Sequence, residues 1–135
     1  ENAEPEDEQK VHDLLKWMKD NKADFNNTFC YLMEQPHIND KIFEIDSFKL
    51  WKNNWTLRVK KEKNYLDVMK RVNPIFIPRN HLVEKALDEA DKGRIDKFNS
   101  LIKLISKPYS VQSKYVEYYL TPEIDETNYQ TFCGT

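Results

Sequence analysis

Asn73-Pro74-Ile75-Phe76-Ile77-Pro78-Arg79-Asn80-His81 is the stretch on which the fold turns. Its two prolines offer no amide donor and push the residue before each of them out of the helical region. With apolar residues between them, the run reads as an extended, buried connector between helices. Arg79 closes it. A guanidinium held behind a buried run is suited to pin a carboxylate or backbone carbonyls of a neighbouring segment, because its planar fork binds such groups at two points. That structural role is favoured over a catalytic one for Arg79. Asn80 reads as the cap of the next helix and His81 as a local hydrogen-bonding group.

Upstream of this connector the apolar spacing is helical. Val11, Leu14, Leu15 and Met18 recur at steps of three and four, with Trp17 on the flank, after an acidic lead over residues 1–9 that is expected to fray or to lead into the helix. A second helix is expected from about Asp24 as N-cap, with Phe25, Phe29, Leu32 and Met33 as its stripe and Pro36 as its end. Residues 35–46 read as a connector with room for one short helical turn. Asp46 or Ser47 then caps a helix striped by Phe48, Trp51, Trp55 and Val59, which continues through Tyr65, Leu66 and Met69 up to Asn73.

Downstream, Leu82, Val83, Ala86, Leu87 and Ala90 form one helical face, and Gly93 supplies its stop. Phe98, Leu101, Ile102 and Ile105 carry the next helix, which Pro108 breaks. A short aromatic helix is expected over 111–120 with Tyr115, Tyr118 and Tyr119, and a loose tail from Pro122 to Thr135. No run reads as a strand and no repeat is present. The expected fold class is all-α: one domain over 1–135, an irregular bundle of about six helices with the proline-containing connector and a C-terminal tail.

Composition narrows the function. The 135 residues include three Trp, seven Tyr and seven Phe, enough large side chains for a core without staples. Charged residues make up 33% but nearly cancel, to −2, which is an ordinary solvated surface. The two glycines, Gly93 and Gly134, cannot build a phosphate-cradling loop, which needs several. If ATP is used, its cradle lies outside these residues. Cys30 and Cys133 make neither a disulfide framework nor a zinc pattern, and fit a reducing compartment. His12, His37 and His81 are scattered, so no metal is expected. No stretch is long enough to span a membrane, and the Glu-rich start lacks the features of a signal peptide. It reads as a cut through a longer chain.

Two cysteines and one basic stretch remain. Cys30 reads as a small, semi-buried hydrophobe. Cys133, beside Gly134 near the end of the tail, is either an inert residue or a thiol open to oxidation. The stretch 49–71 carries Lys49, Lys52, Arg58, Lys60, Lys61, Lys63, Lys70 and Arg71 with Trp51 and Trp55 interleaved. It is the basis of an alternative function, a stand-alone helical module contacting nucleic acid or an acidic protein. Against it, both tryptophans share the stripe of Phe48 and Val59 and so point inward, which makes nucleic acid an unfavoured partner.

Several runs together resemble the C-terminal region of the selenoprotein O family. Leu14-Leu15 through Met18, Ala23-Asp24-Phe25 and Asn27-Thr28-Phe29 are similar to its "LL..M" and "ADF.NTF" patterns. Trp51 and Trp55 match its paired tryptophans, Asn73 to His81 its "NP.FIPRNH", Val83 to Leu87 its "VEEAL", Pro108-Tyr109 its "PY", and Thr131 to Thr135 its "TFCGT" ending. Ser110 to Lys114 lacks the acidic character usual there, Cys30 stands where Arg is more frequent, and the connector 35–46 is unusual.

The resemblance implies a kinase-like enzyme that binds ATP with Mg²⁺ and transfers AMP to Ser, Thr or Tyr hydroxyls of other proteins. The family's nucleotide, metal and catalytic residues all lie upstream of this region, so no catalytic or cofactor-binding residue is expected here. The implied partners are the upstream kinase-like lobes and the parent's protein substrates, with a dimer through a lobe-facing surface as a further possibility. Arg79, Asn80 and His81 become candidates for an inter-lobe clamp, and Cys133 a candidate redox residue whose disulfide partner would lie outside this chain. The implied compartment is the cytoplasm for a bacterial-type member and the mitochondrion for a eukaryotic one.

Overall fold

The structure, a computed structural model, describes residues 3–35, 38, 40–111 and 118. Among them the chain is all helical, as expected: α1 (Asp7–Asp20), α2 (Phe25–Leu32), a 3₁₀ turn (Lys41–Glu44), α3 (Asp46–Val59), α4 (Tyr65–Val72), α5 (Asn80–Asp91) and α6 (Asp96–Ile105). Most of the aromatic helix expected over 111–120, and the whole tail from 122, lie outside the described residues.

Three of these helices end in the same way. After α1 the amides of Lys22 and Ala23 reach back to the carbonyls of Lys19 and Met18. After α2 those of Glu34 and Gln35 reach Tyr31 and Cys30, and after α5 those of Gly93 and Arg94 reach Ala90 and Glu89. Each is a Schellman cap, which closes orphan carbonyls by placing one residue in the left-handed region. Gly93 does so at φ 79° as its sequence position predicts, but Lys22 (φ 53°) and Glu34 (φ 60°) do so against the steric cost of a Cβ.

The core is an aromatic cluster joining α1, α2, the 3₁₀ turn and α3. Phe43 and Phe48 are fully buried, with Met33, Leu104, Thr28 and Cys30. Tyr31 stacks on Phe43 at 4.2 Å between centroids, and Trp17 lies 4.6 Å from Phe48. Trp17 is thus a core residue and not a flank, because its indole N–H donates to Ser47 Oγ at 3.1 Å. Leu14, Trp17 and Met18 form the buried stripe of α1, while Val11 and Leu15 face outward. In α2 the buried residues are Asn27, Thr28, Cys30 and Leu32, and Phe25 is exposed.

The described residues revise other boundaries. The helix expected from 47 to 72 is two helices, broken at residues 60–64, where Lys61 and Glu62 form tighter bonds to Arg58 and Val59. This Lys-Lys-Glu-Lys-Asn run has no apolar side chain to bury, so packing gives a continuous helix nothing to hold. Ile45, rather than Asp46 or Ser47, is the N-cap of α3, since the Ser47 hydroxyl is committed to Trp17. Arg79, rather than Asn80, is the N-cap of α5. On α6 the buried residues are Leu101 and Leu104, whereas Phe98, Ile102 and Ile105 of the expected stripe are exposed. The reason is the pairing of α6 with α5, where Ala86 shares the buried cluster of Leu101 and Leu104.

The acidic lead is engaged from Glu4 onward. Asp7 takes two hydrogen bonds from Arg58, at 3.0 and 2.9 Å, and Glu4 pairs with Lys61 at 2.9 Å. Trp51 Nε1 adds a bond to the Lys10 carbonyl at 2.9 Å, so α1 and α3 are tied by three separate polar contacts besides their apolar ones.

Replacing Lys22 or Glu34 with Gly relieves the left-handed strain in a cap whose hydrogen bonds are all backbone. Each substitution is expected to raise the unfolding free energy by about 0.5–1 kcal/mol. Urea denaturation followed by far-UV circular dichroism reads this as a higher midpoint at unchanged slope.

Candidate functional site

The connector singled out by the sequence runs beside the N-terminus of α2, and every polar contact there is specific. Asp24 caps α2: its Oδ1 accepts the Asn27 amide at 2.7 Å, and its own carbonyl accepts the Thr28 hydroxyl at 2.7 Å. The same carboxylate receives the Arg79 guanidinium at two points, Nη1 to Oδ2 at 2.6 Å and Nη2 to Oδ1 at 3.0 Å. Arg79 Nη2 also donates to Asn27 Oδ1 at 3.2 Å. In the same first turn of α2, Asn26 Nδ2 donates to the Ile75 carbonyl at 3.2 Å. From the other side, the amides of Ile75 and Phe76 both donate to the Pro108 carbonyl, at 2.7 and 3.0 Å. The start of α2, the start of α5 and the chain after α6 therefore meet at one place.

The pair is buried, with the Arg79 side chain 8% exposed and that of Asp24 22%. Burial raises the Asp24 carboxyl, but the Arg79 hydrogen bond, the Asn27 amide and the Arg79 charge outweigh it and hold the group below the ordinary carboxylate range. A buried ion pair gains little over an apolar substitute, yet removing one partner strands the other charge, at about 3–5 kcal/mol. Arg79 is therefore committed within this chain, to a carboxylate that the sequence marks only as a helix cap. Asn80 is exposed at the first position of α5, and His81, next to it, is half-buried.

Cys30 is fully buried against the same connector. Its thiol lies 3.8 and 3.9 Å from the carbonyls of Pro74 and Ile75, and Asn26 Nδ2 is 3.7 Å from the sulfur. Burial pushes the thiol up to about 11, with the Asp24 charge adding to the effect and the Arg79 charge opposing it. A protonated thiol is a poor nucleophile, so Cys30 is a packing residue. Cys133 lies outside the described residues.

Three of the eight basic side chains of the 49–71 stretch are paired with carboxylates of this chain. Arg58 binds Asp7 and Glu62, Lys49 binds Glu44, Lys61 binds Glu4, and Lys52 lies 4.4 Å from the Tyr31 ring centroid. Trp51 and Trp55 stack on each other at 5.9 Å and are half-buried. Beside them opens a cleft of about 1090 Å³ between α1, α3 and α4, whose walls include Val11, Leu15, Trp55, Tyr65 and Met69. Among the described residues no His, Cys, Asp or Glu groups converge as a metal site would need, and no helix is long and apolar enough to cross a membrane.

These features define a helical packing domain, whose buried polar chemistry joins its own elements. Its relatives place it further. It is 40% identical over 134 residues to the protein nucleotidyltransferase YdiU of Pelagibacter ubique, with 96% of this chain and 28% of that protein covered. It is 39% identical to the protein of that name from Clostridium perfringens (96% and 27%) and 37% identical to that from Bacillus cereus (98% and 28%). No protein-family profile matches the chain. By sequence the chain is a member of the YdiU, or selenoprotein O, family and corresponds to its C-terminal region. It spans somewhat over a quarter of the length of the relatives it matches.

Because the Asp24 carboxyl is held low in the folded state, the unfolded chain binds the extra proton first as pH falls. The stabilisation is complete above the ordinary carboxylate range, near pH 4, and is lost as pH drops through the depressed folded value. Asp24→Asn is expected to flatten this acid limb of a stability-versus-pH curve while lowering stability at pH 7. In a Cys133→Ser background, Cys30 is expected to react with a thiol reagent only on unfolding, so that its labelling rate tracks denaturant concentration.

Proposed function

We propose that this chain is the helical support of a protein adenylyltransferase, an enzyme that moves AMP from ATP, with Mg²⁺, onto Ser, Thr or Tyr hydroxyls of other proteins. The observation that carries the reading is the match of nearly the whole chain to a region making up 28% of a nucleotidyltransferase. The residues agree with that division of labour. Two glycines leave no phosphate cradle, and the buried charge pair of Arg79 with Asp24 is spent on holding α2, α5 and the connector in register. The nucleotide and metal chemistry belongs to residues outside this chain, as do the protein substrates.

Cys133 is the redox candidate in this reading, reporting oxidation to the catalytic part through a disulfide outside these residues. Asn80 and His81, at the open end of α5 beside the clasp, are the candidates for contact with the kinase-like lobes. The working compartment is the cytoplasm in a bacterial-type member.

The isolated 135-residue chain is expected neither to bind ATP in calorimetry nor to transfer labelled AMP to itself or to a mixed protein substrate. A longer protein carrying this chain in its family position is expected to do both, with Mg²⁺ present. Transfer by the isolated chain would overturn the assignment of a supporting role.

A further inference from the structure

We propose that the outward face of α6 is a docking seam for an apolar, acid-flanked helix of the nucleotidyltransferase region that lies outside this chain. The inference rests on the functional reading above and adds to it the surface through which the two parts meet.

Ile95, at the N-cap of α6, and Phe98, Ile102 and Ile105 on it follow one another at steps of three, four and three, and Tyr109 lies beyond the helix end, after Pro108. That is the seven-residue rhythm with which one helix presents knobs to another. In the structure they are 56%, 40%, 48%, 44% and 50% exposed, although the other face of the same helix buries Leu101 and Leu104. A helix apolar on two faces belongs in an interior, and here α5 covers only one of them. The line also contains no charged residue.

What covers it is narrowed by charge and by length. Lys103 and Lys107 flank the seam, Lys97 lies near Glu89 at 4.0 Å, and Asp96 is the one acidic residue between 95 and 109. Two copies packed seam to seam would bring these lysines together, which is unfavourable, whereas a partner with Asp or Glu beside its apolar line is favoured. The matched region is 27–28% of the relatives' length, so in them the remainder of the protein stands beside it at fixed stoichiometry.

The test compares the isolated chain with a longer protein in which it replaces the matching 134 residues of the Pelagibacter ubique relative. Ile102→Cys, in a Cys133→Ser background, reports the seam by its maleimide labelling rate. Asn53→Cys on the exposed face of α3 is the control. Labelling at position 102 is expected to be fast in the isolated chain and at least about 30-fold slower in the longer protein, with position 53 fast in both. Equal rates at 102 overturn the inference, and so does protection in the isolated chain accompanied by dimers in sedimentation, which would make a second copy the occupant. AMP transfer by the longer protein is measured in parallel. Transfer without protection removes only the seam, and protection without transfer removes only the functional reading.

Discussion

The two-point bond between Arg79 and Asp24 is the constraint on which the rest of this fold depends. Asp24 has two tasks in one carboxylate: it satisfies the Asn27 amide at the start of α2, and it neutralises a guanidinium that is almost wholly out of water. Because Arg79 is also the residue from which α5 starts, its position sets where the second half of the chain begins. A lysine there would keep the charge but lose the fork, and with it the simultaneous contact to Asn27. The connector cannot drift either, since Asn26 holds the Ile75 carbonyl while Pro108 takes the amides of Ile75 and Phe76.

Around this point the molecule divides its work. The aromatic core of α1 to α3 gives the first part its rigidity, reinforced by Trp17 on Ser47, Trp51 on Lys10 and Arg58 on Asp7. The α5–α6 pair is attached through the connector and buries fewer large side chains, chiefly Ala86, Leu101 and Leu104. This second part leaves the apolar line of α6 in water, as the first part leaves Val11, Leu15 and Phe25 exposed. The buried polar bonds of the chain thus join its own elements, while this apolar line is left at the surface.

Much of this was legible in the residues. The proline pair and the alternating apolar positions of 73–79 fix an extended, buried connector on local backbone grounds alone, and Gly93 marks its helix end for the same reason. Asp24 was readable as a cap because capping is a matter of three residues. What could not be read is what depends on long separation. The Arg79–Asp24 bond spans 55 positions and the Arg58–Asp7 bond 51, and no spacing rule encodes either. The break at 60–64 is hidden in the sequence because Val59 and Leu66, seven residues apart, keep helical phase across it. On α6 only Leu101 of the four expected stripe positions is buried, because periodicity reports that a face is apolar and not whether anything covers it.

The most direct measurement is a double-mutant cycle on Asp24 and Arg79. Unfolding free energies at pH 7 would be measured for the chain, for Asp24→Ala, for Arg79→Ala and for both together. If this pair ties the halves of the molecule, the single changes cost about 3 kcal/mol each and the double change little more than either, a coupling of about 2 kcal/mol or above. Additive costs, with a coupling within about 0.5 kcal/mol of zero, would contradict it and move the organising constraint elsewhere in the fold.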